Sequence, residues 1–141
     1  MGCYNSIVIE APAEKVWDVL RNFHELSWAR NVITKVEIVG DKPFFEVGAK
    51  RIVNDSFYET LLSFDNKAKK FSYSIDDGPG VASKDNVIGY VGELTVFPVT
   101  ENNTSFVLWT TTWELEKKEG VAEFLNPLYE ALLLDLKTYI I

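Results

Sequence analysis

The chain has 141 residues, 47% of them hydrophobic and 25% charged, ordinary proportions for one globular domain with a core large enough to need no staples. A net charge of −7 and a pI near 4.7 argue against nucleic acid as a partner, and no Lys/Arg stripe interleaved with aromatics offsets that balance. The single cysteine excludes an internal disulfide and suits a reducing cytoplasm, and no apolar run approaches the ~18 residues of a membrane span.

Residues 4–10 (YNSIVIE) are rich in strand formers and run into Ala11-Pro12. The opening Met1-Gly2-Cys3-Tyr4-Asn5-Ser6 also fits the short N-myristoylation template, but the strand pattern draws these residues into a sheet. Pro12 suits a first helical turn and Glu14 suits the positive end of its dipole. Val16, Trp17, Leu20 and Phe23 then repeat at helical spacing, and 24–28 reads as a second short helical turn. From residue 32 the apolar period becomes two. Strands are expected at 32–39, 49–54, 57–65, 71–76, 87–99 and 104–116, joined by turn-rich connections that imply antiparallel hairpins. After Gly120 the helical period returns, with Val121, Leu125, Leu128, Leu132, Leu136 and Tyr139 on one face. Asn126-Pro127 marks a restart or a kink in that helix. One sheet facing one long helix makes a single α+β domain over 1–141.

Strand, then Ala11-Pro12-Ala13-Glu14-Lys15-Val16-Trp17-Asp18-Val19-Leu20, then Phe23 and Trp28, resembles the opening of the START-like (SRPBCC) superfamily. Val47-Gly48-Ala49-Lys50-Arg51, Tyr58-Glu59-Thr60-Leu61, Tyr90 and Val107-Leu108-Trp109 resemble its polyketide cyclase/dehydrase-like branch, which also holds the plant abscisic-acid receptors. The resemblance spans the whole chain. It implies a helix-grip fold: a seven-stranded curved antiparallel sheet wrapped around the long C-terminal helix, two short helices after the first strand, and a cavity open at one end. It also implies cavity-lining positions at Glu59, Tyr90 and Trp109, with Arg51 near them. The plant receptors' Ser-Gly-Leu-Pro gate is represented only by Asn54-Asp55-Ser56, so hormone gating is not carried over.

Strand alternation gives an independent choice of inward residues. Outward Glu93 and Thr95 turn Tyr90, Gly92, Leu94 and Val96 inward, and an outward Glu114 does the same for Val107, Trp109, Thr111 and Trp113. Leu125, Leu128 and Leu132 supply the helix side of the proposed lining. Arg51 and Glu59 fall on neighbouring strands, where they could anchor a ligand's polar group or simply form a structural ion pair. A carboxylate in an apolar pocket could also serve as an acid or base. His24 reads as a loop cap and Cys3 as a small buried hydrophobe. Gly and Pro in 76–86 suggest a loop at the cavity mouth.

Metal-ligand spacings, phosphate loops and dinucleotide fingerprints are absent from the sequence, so no cofactor or metal is expected. Three functions compete on this footing. The first is a binder of a small hydrophobic ligand of lipid, polyketide or aromatic type. The second is a cyclase or dehydratase relying on cavity shape with Glu59 and Tyr90 as acids. The third is an interaction module with a vestigial cavity. The expected partner is a small apolar molecule, and the expected state is a monomer or weak homodimer.

Overall fold

The structure, a computed structural model, describes residues 1–141. Strand β1 (Gly2–Ile9) leads into helix α1 (Ala13–Leu20), followed by β2 (Val36–Val39), β3 (Lys50–Val53), β4 (Phe57–Asp65) and β5 (Lys70–Asp77). Then come a two-residue strand β6 (Val87–Ile88), β7 (Val91–Val99), β8 (Thr104–Thr112), a second short strand β9 (Leu115–Glu116) and helix α2 (Val121–Ile140). Seven strands form one antiparallel sheet in the order β1-β8-β7-β5-β4-β3-β2, and β6 pairs with β9 in a separate ribbon. The expected α+β helix-grip architecture is present, with the two helices on the inner face.

Hairpin chemistry sets the register. The β3–β4 turn puts Asn54 and Asp55 at φ 54° each, the left-handed conformation of a tight twist-matched hairpin. That turn places Arg51 directly opposite Glu59. Gly2 and Cys3 lie within β1 and pair with Thr112 and Thr111, and Cys3 is buried.

Four local expectations are corrected. Residues 24–28 form isolated turns, not a second helix, because side chains compete with the helical ladder. Asn22 Oδ1 accepts the His24 N–H at 3.0 Å and Glu25 Oε1 accepts that of Ser27 at 2.8 Å. Residues 32–35 are not a strand. Asn54 Oδ1 accepts the N–H of Thr34 at 2.8 Å, and Asn54 Nδ2 donates to the Val32 carbonyl at 2.9 Å, so a side chain replaces the ladder there. The long strands expected at 87–99 and 104–116 each break near one end, at Gly89-Tyr90 and at Trp113-Glu114. Gly89 has φ 72°, and a Cβ there would lie 2.8 Å from Glu114, so both chains leave the main sheet together. Finally, α2 runs unbroken through Pro127, and the Asn126 side chain accepts from Asn5 Nδ2 at 2.9 Å instead of capping a new helix.

The buried apolar residues form one cluster that includes Trp17, Leu20, Phe23, Phe71, Leu94 and Val96, and near α1 the Phe71 ring meets both Trp17 and Phe23. Under α2, the buried residues are Val121, Leu125, Tyr129, Leu132, Leu133, Asp135 and Leu136. The helix therefore turns Tyr129 inward, while Leu128 is half-buried and Tyr139 is exposed. Thr95, expected to face solvent, is also buried.

Candidate functional site

Between α2, the inner face of the sheet and the segment 26–33 lies a partly open cavity of about 90 Å³, lined by fourteen residues, eleven of them hydrophobic. Six of the residues proposed from sequence line it: Arg51, Glu59, Trp109, Leu125, Leu128 and Leu132. The other four do not. Leu94, Val107 and Thr111 are buried within the packed layer. Tyr90 is not among the lining residues; its hydroxyl lies 3.2 Å from that of Tyr129 and its ring is edge-on to Trp113 at 5.7 Å.

Eight lining residues were not among the sequence candidates: Leu26, Val32, Ile33, Val53, Asn54, Phe57, Tyr73 and Tyr129. Four of them had a signal. Val53 alternates with Arg51 on β3, and Phe57 with Glu59 on β4. Phe71, Tyr73 and Ile75 alternate on β5, all buried, which marks Tyr73 as inward. Tyr129 stands four residues after Leu125 and three before Leu132, on the buried stripe of α2. Leu26, Val32 and Ile33 belong to irregular chain, where no periodicity points.

The loop 76–86, expected at the mouth, supplies no lining residue. Asn86 holds it instead to the approach to α2. Its side-chain nitrogen donates to the carbonyls of Val81 and Lys118 at 2.7 and 3.0 Å, and its oxygen accepts the Lys118 N–H.

The polar wall is a buried cross-strand pair. Arg51 Nε donates to Glu59 Oε1 at 2.7 Å, and Arg51 Nη1 donates to the Phe23 carbonyl at 2.8 Å. The guanidinium lies 3.9 Å from the Phe23 ring centroid and 5.3 Å from that of Tyr73. Both residues are more than nine-tenths buried, and breaking such a pair from one side leaves an uncompensated charge, at about 3–5 kcal/mol.

The floor is a set of hydroxyls. Trp109 Nε1 donates to the Tyr73 hydroxyl at 2.8 Å, and the Trp109 ring packs on Tyr129 at 5.2 Å. Gly92 makes room for this arrangement, since a Cβ there would fall 2.4 Å from Tyr73 Cζ. Burial pushes the phenols of Tyr73, Tyr90 and Tyr129 well above the ordinary tyrosine range, so all three are neutral hydroxyls near pH 7.

His24 stands outside the cavity, with Nε2 3.1 Å from the Lys50 carbonyl. Burial, joined by the neighbouring Arg51 charge and opposed by that backbone contact, lowers its pKa. Burial likewise raises the Cys3 thiol, against a lowering contact from Thr111, so it is a poor nucleophile.

Residues 3–140 match the model of the family described as polyketide cyclase / dehydrase and lipid transport. The chain belongs to that family. A structure from Nitrosospira multiformis superposes on this polyketide cyclase-like chain with a TM-score of 0.96 and 38% identity, covering 100% of this chain and 97% of the other. The protein XoxI from Bacillus cereus gives 0.72 and 23% over 99% and 92%. One from Thermobifida fusca gives 0.77 and 21% over 98% and 92%. At such identities the last two establish the shared fold alone. A search among curated proteins returns no match. No helix of this family member is long and apolar enough to cross a membrane.

Proposed function

We propose that this protein binds a small hydrophobic ligand, of lipid, polyketide or aromatic type, in the cavity between the sheet and α2. The observation that carries this reading is the wall itself: eleven apolar or aromatic side chains with three polar ones, Arg51, Asn54 and Glu59. That is the usual make-up of a ligand pocket. The family's description as cyclase, dehydrase and lipid transport supports it. Trp109, Leu125, Leu128 and Leu132 are the apolar contacts in this reading, and Tyr73 and Tyr129 take the place first given to Tyr90. Leu94, Val107 and Thr111 back the wall without touching the ligand. The free, buried Cys3 suits work in a reducing compartment such as the cytoplasm.

Size limits what enters without rearrangement. About 90 Å³ is below the ~150 Å³ of an apolar cavity that takes benzene and far below the ~300 Å³ where drug-sized pockets begin. A lipid or polyketide therefore requires the mouth to widen.

A cyclase or dehydratase would use the same cavity with Glu59 or Tyr90 as acid. Glu59 is engaged by Arg51, and Tyr90 reaches the cavity only through the Tyr129 hydroxyl. Binding is accordingly the function the geometry supports best.

Native mass spectrometry of the purified protein tests it. A retained apolar mass is expected, and Leu132→Trp, which fills the cavity, is expected to lose that mass while remaining folded. The proposal fails if nothing is retained and no apolar probe shifts the Trp109 indole resonance in NMR.

A further inference from the structure

We propose that the cavity selects uncharged ligands: apolar molecules carrying a carbonyl or hydroxyl oxygen are taken, and carboxylates of the same size are refused. This rests on the ligand-binding reading above and names the class of ligand that fits it.

The selection follows from how the three polar lining residues are occupied. Asn54 is engaged on both sides of its amide, accepting from Thr34 and donating to Val32. Arg51 supplies the only positive charge among the lining residues, and Glu59 balances it at 2.7 Å. The guanidinium is further held by the Phe23 carbonyl and by the faces of Phe23 and Tyr73. An incoming carboxylate would lose its water and meet a cation already paired, with the Glu59 carboxylate beside it. A like charge within ~4–6 Å disfavours the ionised form, and an unpaired buried ion is costly in any case. A cationic ligand meets the mirror-image problem, because Glu59 is already balanced.

The hydroxyls remain as neutral handles. The Tyr73 hydroxyl accepts from Trp109 Nε1 and its own proton faces the Tyr129 hydroxyl, so a ligand oxygen takes that proton by competing with a neutral hydroxyl, with no ion displaced. Tyr129 and Tyr90 share one hydrogen bond between two hydroxyls, so one of their two protons is not used in it. Tyr73 and Tyr129 both line the cavity. A ligand carbonyl near them gains a donor without any ion being desolvated.

Three probes of closely similar size separate these terms: ethylbenzene, acetophenone and benzoate. Each is titrated into the 15N-labelled protein near pH 7, and the Trp109 indole N–H resonance, which sits between wall and floor, reports binding. Acetophenone is expected to bind at least about tenfold more tightly than benzoate and more tightly than ethylbenzene. Benzoate binding as tightly as acetophenone overturns the proposal and leaves the cavity reading standing. If none of the three binds, both fall.

Two variants locate the cause. Tyr129→Phe is expected to reduce acetophenone to the level of ethylbenzene, whose own affinity is unchanged. An undiminished preference for acetophenone in both Tyr129→Phe and Tyr73→Phe removes the hydroxyls from the proposal. Glu59→Gln unmasks Arg51, so benzoate is expected to gain at least about tenfold. A folded Glu59→Gln protein that still refuses benzoate overturns the role given to the ion pair. Should that variant not fold, the three probes on the wild-type protein decide the matter.

Discussion

Two regions of the inner sheet face carry the same apolar alternation, yet the one beneath α1 is solid and the one beneath α2 holds a cavity. Beneath α1, rings interlock: Phe23 meets Phe71 edge-on at 5.9 Å, and Trp17 lies 5.6 Å from Phe64 and 6.3 Å from Phe71. Beneath α2, Leu125, Leu128 and Leu132 face Arg51, Glu59 and Tyr73. Hydrophobic content does not separate the two. What separates them is how free the facing side chains are to relax. Apolar residues collapse into a void because dispersion contacts reward it. Arg51, Glu59, Tyr73 and Trp109 are fixed by hydrogen bonds of 2.7–2.8 Å, and closing the gap would break them. The polar network works as a spacer.

The largest effect that could break this comparison is a deletion in the solid region. Trp17→Ala should destabilise the protein by about 3–5 kcal/mol, read as a lower urea midpoint. A loss below ~1 kcal/mol would mean that region is not close-packed.

Paired overpacking sharpens it further. Leu94→Phe, in the packed layer, should destabilise by about 1–3 kcal/mol. Leu132→Phe, with open space beside it, should change stability by less than about 1 kcal/mol while reducing ligand capacity. Equal effects on the two denaturation curves would erase the distinction between the regions.

The smallest effect concerns pH. His24 has its pKa lowered from 6.5 in the folded state, first by burial, so the unfolded chain binds the extra proton more readily. Stability therefore rises with pH through the window just below 6.5 and falls as acid is added. His24→Gln should flatten that part of a plot of Tm against pH. An unchanged slope would assign the acid sensitivity to other groups.

Much of this was legible in the chain, and the misses share a cause. Period-two patterning marked β4 to the residue, because its hairpin turns bound it on both sides. The same pattern starts β2 too early, since Val32 and Ile33 are β-branched wherever they sit and carry no record of Asn54 binding the backbone of Val32, Thr34 and Lys35. Tyr90 satisfies alternation and the family resemblance together, yet it touches Tyr129 and does not line the cavity. Alternation says which face a residue occupies, not how deep the opposing layer reaches. Arg51 and Glu59 were placed on adjacent strands from sequence, with anchor and ion pair both open. Their 2.7 Å separation makes them an ion pair facing a cavity.

The sequence by itself determined the α+β order of elements, the antiparallel hairpins and most of the inward faces, because turn chemistry and apolar period act over short stretches of chain. Only the tertiary structure decided where the inner layer is filled and where it is empty. That depends on contacts between Phe23, Arg51, Glu59, Tyr73, Trp109 and Tyr129, which come from the turn after α1, four strands and α2 and meet only once the sheet closes on α2.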